Sequence, residues 1–164
     1  MPFNVGDWVV HPMHGVGRVT GLERKKFAQG AQLYYEIAIT QGTLWVEVAR
    51  PPAGLRRLTA KDDLPRYRTV LLSSPVALSK DYHVRREELR GRLKSGTFQV
   101  KCEVVRDLTA HGWLKRLSEV DSALLRSARD GLCQEWAEAE AVTVAEATSE
   151  VEGLLREAQQ VYSK

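Results

Sequence analysis

Apolar and polar residues alternate with a period of two through the first third of this chain, and a helical period takes over afterwards. A short apolar run, Trp8 to Val10, stops at Pro12, and Gly15-Val16-Gly17 reads as a tight turn into a second strand. Proline withholds a backbone donor and glycine tolerates angles closed to other residues, which suits a corner in a small antiparallel sheet. Between Leu33 and Thr40, Leu33, Tyr35, Ile37 and Ile39 share one face, with Tyr34, Glu36, Ala38 and Thr40 on the other. That alternation is the mark of a half-buried strand. Gln41-Gly42 predicts a turn, and Thr43 to Val48 a strand with Leu44, Val46 and Val48 inward and Trp45 and Glu47 outward. Pro51-Pro52-Ala53-Gly54 breaks the pattern before a short closing strand, Leu55 to Leu58. Five short strands with tight turns predict a five-stranded SH3/Tudor-like β-barrel over residues 1–58.

From Thr59 the stripes become helical. Thr59 with Asp62 suits a helix start, and Leu64, Tyr67, Val70 and Leu71 follow as its apolar face, until Ser73-Ser74-Pro75. A second helix, about Lys80 to Lys94, aligns Tyr82, Leu89 and Leu93, and Ser95-Gly96-Thr97 interrupts it. A third runs from about Phe98 to Ala110, with His111-Gly112 ending it and Trp113-Leu114 left to pack in a loop. A fourth spans about Ser118 to Glu140, and a fifth opens on a capping box, Thr143 with Glu146. The expected architecture is α+β: the barrel, then a bundle of about five α-helices over residues 59–164.

Composition changes this picture little. With 43% hydrophobic and 27% charged residues, the chain has the makeup of a folded globular protein. It has no apolar run of membrane-spanning length and no signal-peptide layout, so a cytoplasmic location is expected, with no membrane partner. Cys102 and Cys133 fall at apolar helix positions and are expected to be buried free thiols. Charge matters more. Residues 1–79 carry ten Lys/Arg against six Asp/Glu, residues 80–116 ten against five, and residues 117–164 four against ten. A polyanion is drawn to the middle of such a chain and repelled by its end.

No catalytic constellation stands out. The cysteines are far apart, and His11, His14, His83 and His111 show no helical pairing that would ligate a metal. His11 and His14 flank Pro12 as half a site at most, and a solvated turn is the expected reading. Gly15-Val16-Gly17 lacks the lysine and helix start of a phosphate loop, and no serine or cysteine nucleophile motif occurs. Neither enzyme activity nor a cofactor is expected. The basic segment is the better candidate: Arg85, Arg86, Arg90, Arg92 and Lys94 share one helix, with Lys80, Tyr82 and His83 near its start. Tyr82 there fits two readings, an aromatic wedge for a nucleic-acid groove among phosphate-binding cations, or a cap on the bundle core.

Taken together, VGDWVVHPMHGVGRV (Val5 to Val19), Tyr34-Tyr35, GLRRL (Gly54 to Leu58), LKSGT (Leu93 to Thr97) and EVVRDL (Glu103 to Leu108) form an ordered series. In this order the chain resembles the CarD/CdnL family of bacterial RNA polymerase-binding transcription regulators, whose N-terminal module is shared with the transcription-repair coupling factor. The resemblance implies a Tudor-like domain docking on the lobe of the polymerase β subunit, and a helical domain touching promoter DNA at the upstream edge of the open bubble. It implies weak, largely sequence-independent DNA contact through Tyr82, His83, Arg85, Arg86 and Arg90, with Tyr82 in the place of the family's usual tryptophan. On the polymerase side it implies Arg24, Lys25, Trp45, Val46 and Glu47. Three departures accompany it: Val84 where a second arginine is frequent, Glu47 where a base is frequent, and Ala49 for a usual proline. A monomer is expected. The competing reading from the residues is a protein–protein adaptor that presents Trp45 and a strand edge without touching DNA.

Overall fold

The computed structural model describes residues 2–28 and 30–163 and divides into two compact units, residues 1–58 and 59–164. In the first unit β1 (Trp8–His11), β2 (Gly15–Phe27), β3 (Gly30–Ile39), β4 (Gly42–Glu47) and β5 (Arg56–Arg57) form one antiparallel sheet in the order β4-β3-β2-β1-β5. This is the plan of the Tudor-like module, left open, with β4 and a two-residue β5 at its edges. Phe3, Val9, Val19, Tyr35, Ile37 and Val46 fill its core, as the two-residue alternation requires.

The first turn differs from expectation. His11 pairs with Gly15, so the corner is Pro12-Met13-His14, and Gly15 to Gly17 already lie in β2. The imidazole of His11 closes that corner, its Nδ1 accepting from the backbone N–H groups of Met13 (3.0 Å) and His14 (3.2 Å). Gly17 serves a different purpose from the expected turn: a Cβ there would lie 2.7 Å from Ile37 Cγ2, so a side chain is excluded by the neighbouring strand. The β2–β3 hairpin carries a bulge between Val19 and Gly21, and the Thr20 hydroxyl donates to the Glu36 carbonyl and carboxylate there.

The second unit contains α1 (Leu64–Leu72), α2 (Tyr82–Leu93), α3 (Phe98–Leu114), α4 (Glu119–Glu140) and α5 (Val144–Tyr162). A short 3₁₀ turn, Lys61–Asp63, precedes α1, which starts at Leu64 because Pro65 suits a first helical turn and cannot donate further on. Thr59, expected at the helix start, is turned elsewhere: its hydroxyl (2.6 Å) and backbone N–H (3.2 Å) donate to the fully buried Glu135. Helix α3 does not stop at His111-Gly112 but runs on to Leu114, so Trp113 and Leu114 lie in its last turn. A single glycine costs a helix only about 1 kcal/mol, which a docked helix tolerates. Asp81, Thr97, Ser118 and Thr143 cap α2 to α5, the last with the full capping box.

Helix α3 separates two apolar clusters. Phe98, Cys102 and Val105 join Leu64, Tyr67, Leu71, Leu132, Trp136, Val151 and Leu155 in the main core. Val104 and Leu108 turn instead to Leu89 of α2 and Leu78 of the preceding connection. Cys102 and Cys133 are buried and free, and desolvation pushes both thiols up, well out of the thiolate range. Gly17→Ala is expected to destabilise the protein by roughly 1–3 kcal/mol through overpacking against Ile37, seen as a lower urea midpoint.

Candidate functional site

On the N-terminal sheet, direct cross-strand partners share a face, so the register sorts the five residues expected at the polymerase. Tyr34 pairs with both Glu23 and Glu47, and Glu36 pairs with Trp45. Lys25, Trp45 and Glu47 therefore lie on the outward face. The Lys25 ammonium sits 3.6 Å from the centroid of the Trp45 ring, a cation–π contact on a half-exposed surface (Trp45 is 38% exposed). Phe27 and Tyr34 extend the same face, ring edge to ring face at 5.8 Å; the sequence placed Tyr34 on this outward face but counted neither residue among the docking candidates, although the alternation through Glu23, Lys25 and Phe27 points to Phe27 as well. Arg24 and Val46 fall on the opposite alternation. Val46 is buried in the core opposite Tyr35, so its side chain is not a docking contact, and Arg24 is exposed opposite Leu33.

In the helical unit the candidate surface is the start of α2. The Asp81 carboxylate caps that helix, accepting from the N–H groups of His83 (2.9 Å) and Val84 (3.1 Å). These bonds, joined by the charges of His83 and Arg85, hold the exposed Asp81 carboxyl below its usual range. The cap makes Tyr82 the first helical residue, two positions later than the sequence start of Lys80. Tyr82 is half-buried; the His83 ring meets it edge-on at 5.2 Å, and the Arg86 guanidinium lies 4.9 Å from its centroid. Lys80, His83 and Arg90 are exposed, and so is Val84 at 54%. Tyr82, His83 and Arg86 thus occupy the accessible start of the helix, and Arg90 is exposed in its last turn.

Arg85 is the exception. It is 7% exposed, with Nε (3.0 Å) and Nη2 (2.8 Å) both donating to Oδ2 of Asp121, itself 2% exposed. An expected phosphate contact is therefore an internal ion pair. The signal was present: Tyr82, Arg85, Leu89 and Arg92 follow one helical stripe, the stripe that Leu89 buries. Arg92, on that stripe too, donates from both terminal nitrogens to Asp107 at 3.3 Å. Asp107 also accepts from Arg106 Nε (2.8 Å) and the backbone N–H of Val76 (3.0 Å). The two aspartates gave no sequence signal, since an aspartate inside a helical pattern reads as a solvated position.

Among the described residues no group of three or more His, Cys, Asp or Glu side chains is arranged to hold a metal ion. His11 and His14 stack at 4.8 Å in the first corner, where His11 Nδ1 is already used by the backbone. No helix among the described residues is long and apolar enough to cross a membrane.

A Tudor-like sheet module followed by a helical unit is the architecture expected of a CarD-type transcription protein. Residues 3–59 match the CarD-like/TRCF RID domain and residues 67–152 match the CarD C-terminal domain, so the chain belongs to the CarD family. It is 26% identical over 136 residues, 81% of this chain and 89% of the other, to the Bacillus subtilis (strain 168) protein named "Putative transcription factor YdeB". Family and relative together support a role in transcription.

Burial, then the Arg85 charge, push His111 below the usual histidine range, with Asp121 partly opposing them. A histidine whose folded-state pKa is depressed leaves the unfolded chain binding more protons, so its contribution is present above the ordinary value of 6.5 and fades as pH falls below it. An NMR titration should place the His111 midpoint below the ordinary histidine value of 6.5, and His111→Asn should flatten the loss of stability on going from pH 7 to pH 5.

Proposed function

We propose that this protein docks on the lobe of the RNA polymerase β subunit through its N-terminal sheet and stabilises the promoter open complex through the start of α2. The carrying observation is the placement of Tyr82: an accessible aromatic at the first position of a helix, backed by Arg86 and followed by exposed His83 and Arg90. A flat ring stacks on any base, while neighbouring cations hold phosphates regardless of sequence. Guanidinium contact with one side of the ring stiffens it and brings positive charge to the place where a strand passes.

The mechanism is a shift in populations. Docking raises the effective concentration of a weak DNA-binding helix beside the promoter. If Tyr82 and its cations bind the melted junction better than closed duplex, the open state gains by that difference alone. A preference of about 1.4 kcal/mol changes the open-to-closed ratio tenfold. Arg85 enters this reading as support beneath Tyr82, leaving Arg86, Arg90 and His83 to meet DNA. On the polymerase side Lys25, Trp45 and Glu47 form the contact face, while Arg24 is exposed on the other alternation of the β2–β3 hairpin; Glu47 calls for a basic partner side chain, since like charges across an interface are costly.

Tyr82→Ala is expected to shorten open-complex lifetime in a promoter dissociation assay by about fivefold or more, the scale of a lost base–aromatic stack, with polymerase affinity unchanged. Equal lifetimes would take Tyr82 out of the mechanism. Trp45→Ala is expected to raise the Kd for polymerase about tenfold or more, as removal of a central aromatic anchor does. Calorimetry showing unaltered affinity would move the docking face elsewhere.

A further inference from the structure

Helix α2 is anchored in an unusual way. Its buried residues are Leu89 and one charged side chain, Arg85. Leu89 sets the depth of the helix against Val104 and Leu108. Leu93 packs against the same cluster, but both leucines lie in the second half of the helix, so something else must fix its first turn.

The structure assigns that task to the ion pair between Arg85 and Asp121: it is a positioning device that sets the direction in which Tyr82 is presented. This rests on the reading of Tyr82 as the DNA-contacting residue. One guanidinium reaches three partners at once. Nε and Nη2 grip Asp121 in the first turn of α4. Nη1 donates to the carbonyls of Ser79 (3.0 Å) and Lys80 (3.4 Å), the residues that lead into the helix. The same group stands 5.9 Å from the centroid of the Tyr82 ring. Asp121 is fixed in turn, its N–H donating to the Ser118 hydroxyl at 3.1 Å.

Geometry separates this role from plain stabilisation. Burying two opposite charges is a poor source of net stability, because desolvation cancels most of their attraction. What a planar guanidinium fork adds is direction: its donors lie in fixed positions, so the partners are fixed relative to one another. Here those partners are α4, the chain entering α2 and the face of Tyr82. The second ion pair, Arg92 with Asp107, lies about two turns further along α2, where it holds the far end of the helix and, through the Val76 N–H, the connection.

The test uses the full chain with Asp121→Asn and, separately, Arg85→Lys, which keeps the charge but loses the fork. Amide hydrogen exchange should accelerate at least tenfold across residues 82–93 and stay unchanged across residues 144–162. Open-complex lifetime should fall to within twofold of the Tyr82→Ala value, and adding Tyr82→Ala to Asp121→Asn should shorten it no further. Unchanged exchange in α2 for both variants overturns the proposal, and so do lifetime effects that multiply in the double variant. If Asp121→Asn also releases protection in α4 and α5, Arg85→Lys decides by the same criteria. If Tyr82→Ala alone leaves the lifetime unaltered, the promoter reading fails, and the exchange pattern alone upholds or overturns the positioning of α2.

Discussion

Burial of α3 on both sides shapes the whole helical unit. A helix enclosed by α1, α4 and α5 on one flank and by α2 on the other has little surface left for water. Any polar group it carries inward must then find a partner, because an unpaired buried charge costs several kcal/mol. Asp107 is that group, and the chain meets its demand three times over, from Arg92, Arg106 and the backbone of Val76. Arg106 passes the connection on to the Ser73 hydroxyl at the end of α1. Apolar packing decides which helices assemble, and these buried carboxylates decide how the segment from Ser73 to Leu93 is laid across them.

The division of labour between packing and charge recurs at the surfaces. On the sheet, Tyr35 and Val46 face the core while their neighbours Tyr34, Trp45 and Glu47 face out, so one strand pair supplies both the core and an outward aromatic and charged face. On α2, Leu89 and Arg85 face in while His83, Val84 and Arg90 face out. Membership of the CarD family gives these outward faces a setting in transcription. Val84, 54% exposed, leaves an apolar shoulder beside His83 on the outward face of α2.

Much of this was legible from residue order, because alternation and helical stripes report burial directly. The inward sets of β3 and β4, the capping box at Thr143 and Glu146, and the buried thiols all follow from that logic. Local signals failed where tertiary contacts overruled them. Gly17 resembles a turn glycine yet answers to Ile37 on a neighbouring strand. His111-Gly112 resembles a helix stop, but packing carries α3 past it. Thr59 has the chemistry of a cap and donates instead to Glu135, 76 positions away. Arg85 was misjudged for the same reason: a basic residue reads as solvated until its partner is known, and Asp121 lies 36 positions further along.

The carboxylate of Asp81 carries a last implication. Helix starts commonly catch anions with their free amides, but here those of His83 and Val84 are already taken. Under the proposed promoter role, a phosphodiester at this end would meet side chains and no backbone cradle. Contact of that sort would tolerate sliding along the duplex by a fraction of a base step, and a tethered protein could then find the weak point of a promoter without reading its letters.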